Sequence, residues 1–358
     1  MRLRSSFSLL ARLRYEFQSN VSRYTNFAPR LALAYAPGDR QTVLRAGFGV
    51  FYERQPVIMA QQSLLYGGSA IREIEIPNPS YPNPFPPGVT PQQVTPSVVT
   101  IVPAIHLPYL MQGSLAVERK VGRGQNFLTL ELMTVRGVHL YRMRDVNAPL
   151  PATMIRPDPN FISIDQFEST ATSRGYSASI TYKSHFRKVD IVAQYTLSRI
   201  LDSASSLFSL PANNYDLSGE WGRADYDRRH RLNLVVLYNL PAGFRGAAIV
   251  NFWSGLPYNI TTGTDPNGDL VFNDRPPGLW RNAGLGPGYT NVDLRLARRW
   301  RLAHREHAPS VEFAVDAFNV LNHVNFNNYV GIMTSPDFGH AVGASPARQL
   351  QLSLRWIF

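Results

Sequence analysis

Asp265, Asn267 and Asp269 stand at every second position. That is the opening spacing of a loop that wraps Ca²⁺ in side-chain oxygens. Gly268 falls at the fourth place of such a loop rather than the sixth, and Pro276 stands where a bidentate glutamate should close the shell. The competing reading is an Asn-Gly turn in an outside loop, so no metal ligand set is assigned. Arg223, Asp225, Asp227, Arg228 and His230 form a second dense group. Charges of both signs just ahead of an apolar stretch suit an ion-pair or proton-handling cluster, or a network that fixes a loop to the rim of a sheet. His304 and His307 flank Arg305 and Glu306; two exposed histidines alone make a poor zinc site.

Covalent catalysis needs a nucleophile with its base and an orienting third group. No Gly-x-Ser-x-Gly elbow occurs, and neither histidine-bearing stretch has an obvious serine beside it. No catalytic residue and no cofactor is assigned. The chain has no cysteine, which excludes a disulfide framework, a thiolate metal site and a thiol nucleophile.

The elements that would position these groups are strands. At the C-terminus Leu350, Leu352, Leu354, Trp356 and Phe358 alternate with Gln349, Gln351, Ser353 and Arg355. Alternation with period two gives one apolar and one polar face. An apolar strand carrying Trp and Phe at the very end suits a barrel with lipid outside and water inside. The same alternation recurs at Leu31–Tyr35, Leu44–Tyr52, Tyr109–Val117, Leu128–Leu132, Tyr176–Tyr182, Ile191–Leu197, Leu232–Tyr238, Val292–Leu296 and Val311–Val315. Near the N-terminus Leu9, Ala11, Leu13, Tyr15 and Phe17 alternate with Arg12, Arg14 and Glu16, which makes a strand rather than an export signal. The segment Gly246–Ser254 is the least clear. The expected fold is all-β: an antiparallel transmembrane β-barrel segment of about 12 strands, in one domain over residues 1–358.

The connections alternate in kind. Pro37–Arg40, Val121–Gly124, His185–Lys188, Pro241–Gly243 and Leu302–Pro309 read as turns, the last of them longer. Gln55–Pro108, Arg136–Arg174, Asp202–Arg229, Pro257–Gly288 and Leu321–Arg348 read as long polar loops. Short periplasmic turns and long extracellular loops are the habit of outer-membrane barrels. The proline-dense stretch Gln55–Pro108 is expected to be extended coil.

The balance of 36 Lys+Arg against 25 Asp+Glu gives a net charge of +11. Arginine is spread along the chain rather than gathered in one stripe, so lumen-lining or headgroup contact is expected and no nucleic-acid partner. No window is apolar enough for a membrane helix.

Several phrases resemble the TonB-dependent receptors, and more narrowly their Oar-like branch: Asn26–Tyr35, Val43–Tyr52, Trp221–His230, Ser254–Tyr258, Asp265–Arg275 and Phe318–His323. The resemblance implies a non-catalytic outer-membrane receptor of a Gram-negative bacterium for energised solute uptake. It implies outer-membrane lipid, the barrel-assembly machinery, an extracellular solute and the TonB complex as partners. The last would be reached through an N-terminal part, with plug, that this chain lacks. It also implies that Leu350, Leu352, Leu354, Trp356 and Phe358 form the assembly signal. Such receptors have about 22 strands, so the chain reads as a C-terminal barrel half with Met1 an internal start, or as a closed barrel of its own. The alternatives in function are a small channel, an adhesin or a barrel enzyme of phospholipase or protease type.

Overall fold

The computed structural model describes all residues except 1, 5, 20, 22–24, 39–40, 75, 77–78, 86–87, 91–93 and 303–308, and for residues 2–4 it describes the backbone alone. His304 and His307 therefore lie outside the described residues. Among the described residues, twelve strands have nine residues or more. They are β1 Phe7–Tyr15, β2 Phe27–Tyr35, β3 Thr42–Tyr52, β4 Tyr109–Lys120, β5 Gln125–Asp145 and β6 Ile164–Phe186. They continue with β7 Val189–Asp202, β8 His230–Asn239, β9 Phe244–Trp253, β10 Tyr289–Arg301, β11 Ser310–Phe318 and β12 Gln349–Ile357. Each pairs antiparallel with the next, in one sheet. A short strand, Arg2–Arg4, lies against β1. Among the described residues no ladder joins β12 to β1.

Register turns the period-two pattern of single strands into bands. Phe7, Tyr35, Leu44, Val117, Leu130, Ile180, Tyr195, Leu232 and Phe252 are successive partners across nine strands. Eight of the nine, Tyr35 to Phe252, are exposed. On the opposite face Glu118, Thr129, Thr181, Gln194, Asn233, Asn251 and Asn291 are successive partners across seven strands. A one-residue slip anywhere would mix the bands, so the two faces hold the register. An exposed apolar band this wide is costly in water and stable against lipid. Further along the polar face Arg295 pairs with Asp316 at 2.8 Å and Glu312 at 3.3 Å. Arg45 pairs with Glu118 at 3.2 Å.

In a meander, connections fall alternately at the two ends of the sheet, which gathers the long ones at one end. At the other end the β4–β5 turn needs left-handed backbone at Gly122 and Gly124, φ 64° and 92°, which glycine adopts without a Cβ clash. The ambiguous segment Gly246–Ser254 belongs to β9.

Two loop expectations are corrected. Arg136–Arg174 is mostly hairpin rather than loop, since β5 and β6 stay paired out to Asp145 and Asp165. A register shift between Gly137 and Arg142, with His139 at φ 58°, breaks the alternation that would have announced the extension. Gln55–Pro108 is not coil throughout. Helix α1 spans Val57–Leu65, and Pro96–Ile101 pairs in parallel with β6 from Val98↔Ile164 to Ile101↔Phe167. Met59, Val99, Ile105 and Phe167 pack into a small buried core. It binds the longest loop to the β5–β6 hairpin, each side chain contributing about 1.5–3 kcal/mol. No helix among the described residues is long and apolar enough to cross a membrane.

Candidate functional site

The long loops between β5 and β6, β7 and β8, and β9 and β10 meet in a body of buried polar groups at the end of the sheet. Buried polar groups persist only when partnered, and here the partners lie far apart in the chain. Asp145, 2% exposed, accepts from the N–H groups of Asn147 and Ile164 at 2.8 and 2.9 Å, and from Arg156 at 3.3 Å. Its own N–H donates to Asn214 Oδ1 at 2.9 Å, and Asn214 Nδ2 donates to Asp269 Oδ2 at 2.9 Å. Arg156 also donates to the Gly268 carbonyl at 3.1 Å. One chain of hydrogen bonds thus ties three loops together.

A second knot centres on Arg281. It donates to the carbonyl oxygens of Glu220 and Asp202 at 3.1 and 3.0 Å, and to Ser205 Oγ at 2.6 Å. It also pairs with the carboxylates of Asp202 and, at 3.3 Å, Asp225. Glu220 holds both terminal nitrogens of Arg275 and accepts from the Ala212 N–H at 2.9 Å. Burial, with the Arg142 charge beside it, pushes Arg281 down to about 10. Backbones touch here as well: a Cβ at Gly222 would run into the Arg281 carbonyl, and one at Gly255 into the Gly286 carbonyl. Only glycine fits either place. That is a physical reason for the phrases Trp221–His230 and Ser254–Tyr258 to carry glycine where they do.

Of the residues singled out from sequence, Asp225 joins the second knot and Asp269 the first, and the others bind beside them. Asp225 accepts from Ser205, Arg281 and Asn282 at 3.2, 3.3 and 2.6 Å. Asp227, 1% exposed, accepts from the Ile200 N–H at 2.9 Å and faces Arg223 at 3.9 Å. His230 meets the Tyr195 hydroxyl at 2.8 Å, and its N–H donates to Ser254 Oγ at 3.0 Å. Arg228 lies over the Trp253 and Tyr289 rings, at 5.2 and 5.7 Å, and donates to the Ser254 carbonyl at 2.7 Å.

Apart from Asp269 Oδ2, which meets Asn214, Asp265, Asn267 and Asp269 spend their side-chain oxygens on their own turn. Asp265 accepts from the N–H groups of Asp269 and Leu270, Asn267 from that of Asp269, and Asp269 from that of Val271. Gly268 has φ 69°. Among the described residues no group of three or more His, Cys, Asp or Glu is arranged to hold a metal ion. Burial raises Asp269 to about 6, with Asp265 adding repulsion, and raises Asp274 to about 6, with Asp269 and Asp265 adding to it.

Asp145, Glu220, Arg275 and Arg281, on which the knots turn, were not singled out from sequence, and neither was Arg142, whose charge lies near Arg281. Their one sequence signal is charge placed beyond the length a membrane-crossing strand needs, as in Arg142-Met-Arg144-Asp145. Arg142, Glu220, Asn259, Asn273, Arg275 and Arg281 line a polar cavity of about 270 Å³ between the loops. A larger hollow, about 900 Å³, is lined mostly by apolar residues of β2 to β7, such as Leu33, Leu115 and Leu132; it belongs to the lipid-facing band and carries no convergent polar groups.

A model of the outer membrane beta barrel domain matches residues 15–280 and 278–351. No curated protein matches the sequence. Among solved structures the chain is similar to the outer membrane transporter YddB from Escherichia coli, at 14% identity and TM-score 0.66, over 98% of this chain and 43% of that one. It is similar to a variant of the ferric enterobactin receptor PfeA from Pseudomonas aeruginosa, at 15% identity and TM-score 0.60, over 99% and 43%. The pyoverdine outer membrane receptor FpvA from Pseudomonas aeruginosa follows at 12% identity and TM-score 0.54, over 99% and 40%. The chain spans less than half the length of these solved proteins. At such identities the likeness speaks to the fold.

Proposed function

The chain belongs to the outer membrane beta barrel domain family, and from that premise we propose that it forms wall and outside loops of a TonB-dependent receptor, of the Oar-like branch, that takes up a solute in an energised step. It is a protein of the Gram-negative outer membrane and not an enzyme. The observation that carries the reading is the combination of two bands with one loop body. The apolar and polar bands suit a wall with lipid on one side and water on the other. A passive pore needs no more than that. Here the loops above the wall are also locked to each other through Asp145, Asn214, Asp269, Glu220 and Arg281, which suits a preorganised surface for capturing a solute.

In this reading residues 1–358 act as one barrel domain, and gating and coupling to the TonB complex fall to a plug outside this sequence. Arg223, Asp225, Asp227, His230, Asp265, Asn267 and Asp269 hold the loops in shape, and the solute meets the surface they support. Leu350, Leu352, Leu354, Trp356 and Phe358 present the strand that the barrel-assembly machinery recognises. The test is uptake of a panel of scarce, bulky nutrients by the native host with and without the gene, each with the proton-motive force intact and collapsed. Loss of one nutrient in both the deletion and the uncoupled wild type is expected. Unchanged uptake with lost surface attachment would make the protein an adhesin, and uptake indifferent to uncoupling would make it a passive channel.

A further inference from the structure

On the face that carries the apolar band, three neighbouring strands end their apolar run on arginine, at the end where the long loops begin. Along β5 that face reads Leu128, Leu130, Leu132, Thr134 and then Arg136. Along β6 it reads Tyr182, Ile180, Ala178, Tyr176 and then Arg174, and along β7 Ala193, Tyr195, Leu197 and then Arg199. Arg136 and Arg174 are direct partners across the ladder, and Arg199 is the partner of Tyr176, one step away on the same face. All three are exposed.

Ladder partners hold their Cβ atoms about 5 Å apart, and like charges so placed repel. No acid stands in the rows that carry them, which continue through Met111 on one side and Leu201 on the other. Among the described residues the nearby carboxylates pair elsewhere: Glu118 with Arg45, Asp145 with Arg156 and Glu168 with Arg144. One arginine at a membrane surface needs only to reach water. Three that repel one another call for anions between them.

Directly below lies the apolar hollow of about 900 Å³. It exists because Ala46, Gly113 and Ala178 are small where Phe48, Leu115 and Leu132 beside them are large, and Arg199 stands at its edge. Apolar hollow and cationic head together have the layout of a lipid: chains below, charge above. In outer-membrane barrels the long loops lie outside, so the patch sits in the outer leaflet.

We propose that it binds one lipid whose headgroup carries two phosphate groups. The acyl chains lie in the hollow, one phosphate bridges Arg136 and Arg174, and the other meets Arg199. Guanidinium groups bind phosphate oxygens in pairs. A single phosphate leaves part of this charge unanswered, and a zwitterionic headgroup brings a cation against it. The inference rests on the apolar face meeting lipid and not on energised uptake, because lipid binding is read without transport.

The test is native mass spectrometry of the protein, extracted from outer membranes in mild detergent and freed of lipid. It is titrated with diphosphoryl lipid A, monophosphoryl lipid A, phosphatidylglycerol and phosphatidylethanolamine. One diphosphoryl lipid A per protein is expected, bound at least tenfold more tightly than each of the others. Replacing both Arg136→Gln and Arg174→Gln should weaken it at least tenfold. Ala178→Phe, which fills the hollow and keeps all three arginines, should weaken it as well, and it decides the matter if the arginine variant does not fold. Equal binding of the diphosphoryl lipid and any other would mean that the arginines only reach for water, and would overturn the proposal. So would inorganic pyrophosphate binding as tightly as the lipid, which would leave the hollow no part, or unchanged affinity in both variants.

Discussion

Replacing Arg281 with methionine should open the loop body without unmaking the sheet. The side chain is buried and donates to two carbonyls and one hydroxyl while facing two carboxylates. Asp225 is 53% exposed at its side chain, so water replaces the lost partner there and the change costs little. Asp202 is 10% exposed and keeps a charge with no partner, and the Glu220 and Asp202 carbonyls lose a donor. Removing one member of a buried pair costs about 3–5 kcal/mol. None of these groups belongs to a ladder of the wall except Asp202 at the end of β7, so the cost falls on the closed state of the loops.

At about 1.4 kcal/mol per decade, the open population should rise roughly 10²- to 4 × 10³-fold. Cleavage by an external protease tracks that population when closing outpaces cutting. Chymotrypsin on intact cells is the assay, since Phe208, Tyr215, Tyr226, Phe272 and Trp280 are exposed aromatic sites in the two loops that Arg281 joins. The variant should be nicked at least a hundred times faster, with its heat-modifiable migration on gels unchanged. Arg281→Lys, which keeps the charge and loses the planar fork, should fall between. Wild-type cleavage rates in Arg281→Met would refute the idea that this guanidinium holds the loops together.

Three further outcomes are expected. Asp269 and Asp274, both raised to about 6, oppose the closed loops while charged; each takes up a proton in the folded state before it would in the unfolded one, so nicking, divided at each pH by the protease's own rate on an unfolded protein, should slow as pH falls from 7.5 through 6, and a ratio that rises over that window would contradict the raised values. Because the chain has no cysteine, single cysteines can test the two faces: at Arg45, Glu118, Lys183 and Arg295 a water-soluble maleimide should react in the membrane-inserted protein, at Leu44, Leu115 and Leu294 it should not, and the reverse pattern would sink the assignment of lipid to the apolar band. Phe358→Ser should lower the amount of assembled protein in the outer membrane severalfold, measured by surface proteolysis and gel migration, whereas normal assembly would remove the terminal strand from the recognition step.

The alternation of polar and apolar residues was legible because each strand carries it locally. Leu350 to Phe358 needs no partner to be read. The band from Phe7 to Phe252 was not legible, since it depends on register between segments far apart in sequence. The β5–β6 extension was lost where the register shift after Gly137 breaks the alternation. Helix α1 was hidden by the prolines that follow it, although Val57–Leu65 contains none. At the site, Arg223, Asp225, Asp227 and His230 stood out because they are neighbours in sequence. Arg142, Glu220 and Arg281 come from three different loops and strands, and no local spacing joins them.

The polar band has a consequence for whatever moves past it. Thr129, Thr181, Gln194, Asn233, Asn251 and Asn291 carry hydroxyls and amides, and the one charge in their row, Glu118, is answered by Arg45. Such a surface hydrates well and exerts almost no net field. A passing molecule can exchange hydrogen bonds from rung to rung and is neither trapped nor repelled by its sign. Under the proposed uptake role this row does not sort solutes by sign, and that task falls to the charged loops above and to the Arg295, Asp316 and Glu312 group further along the same face.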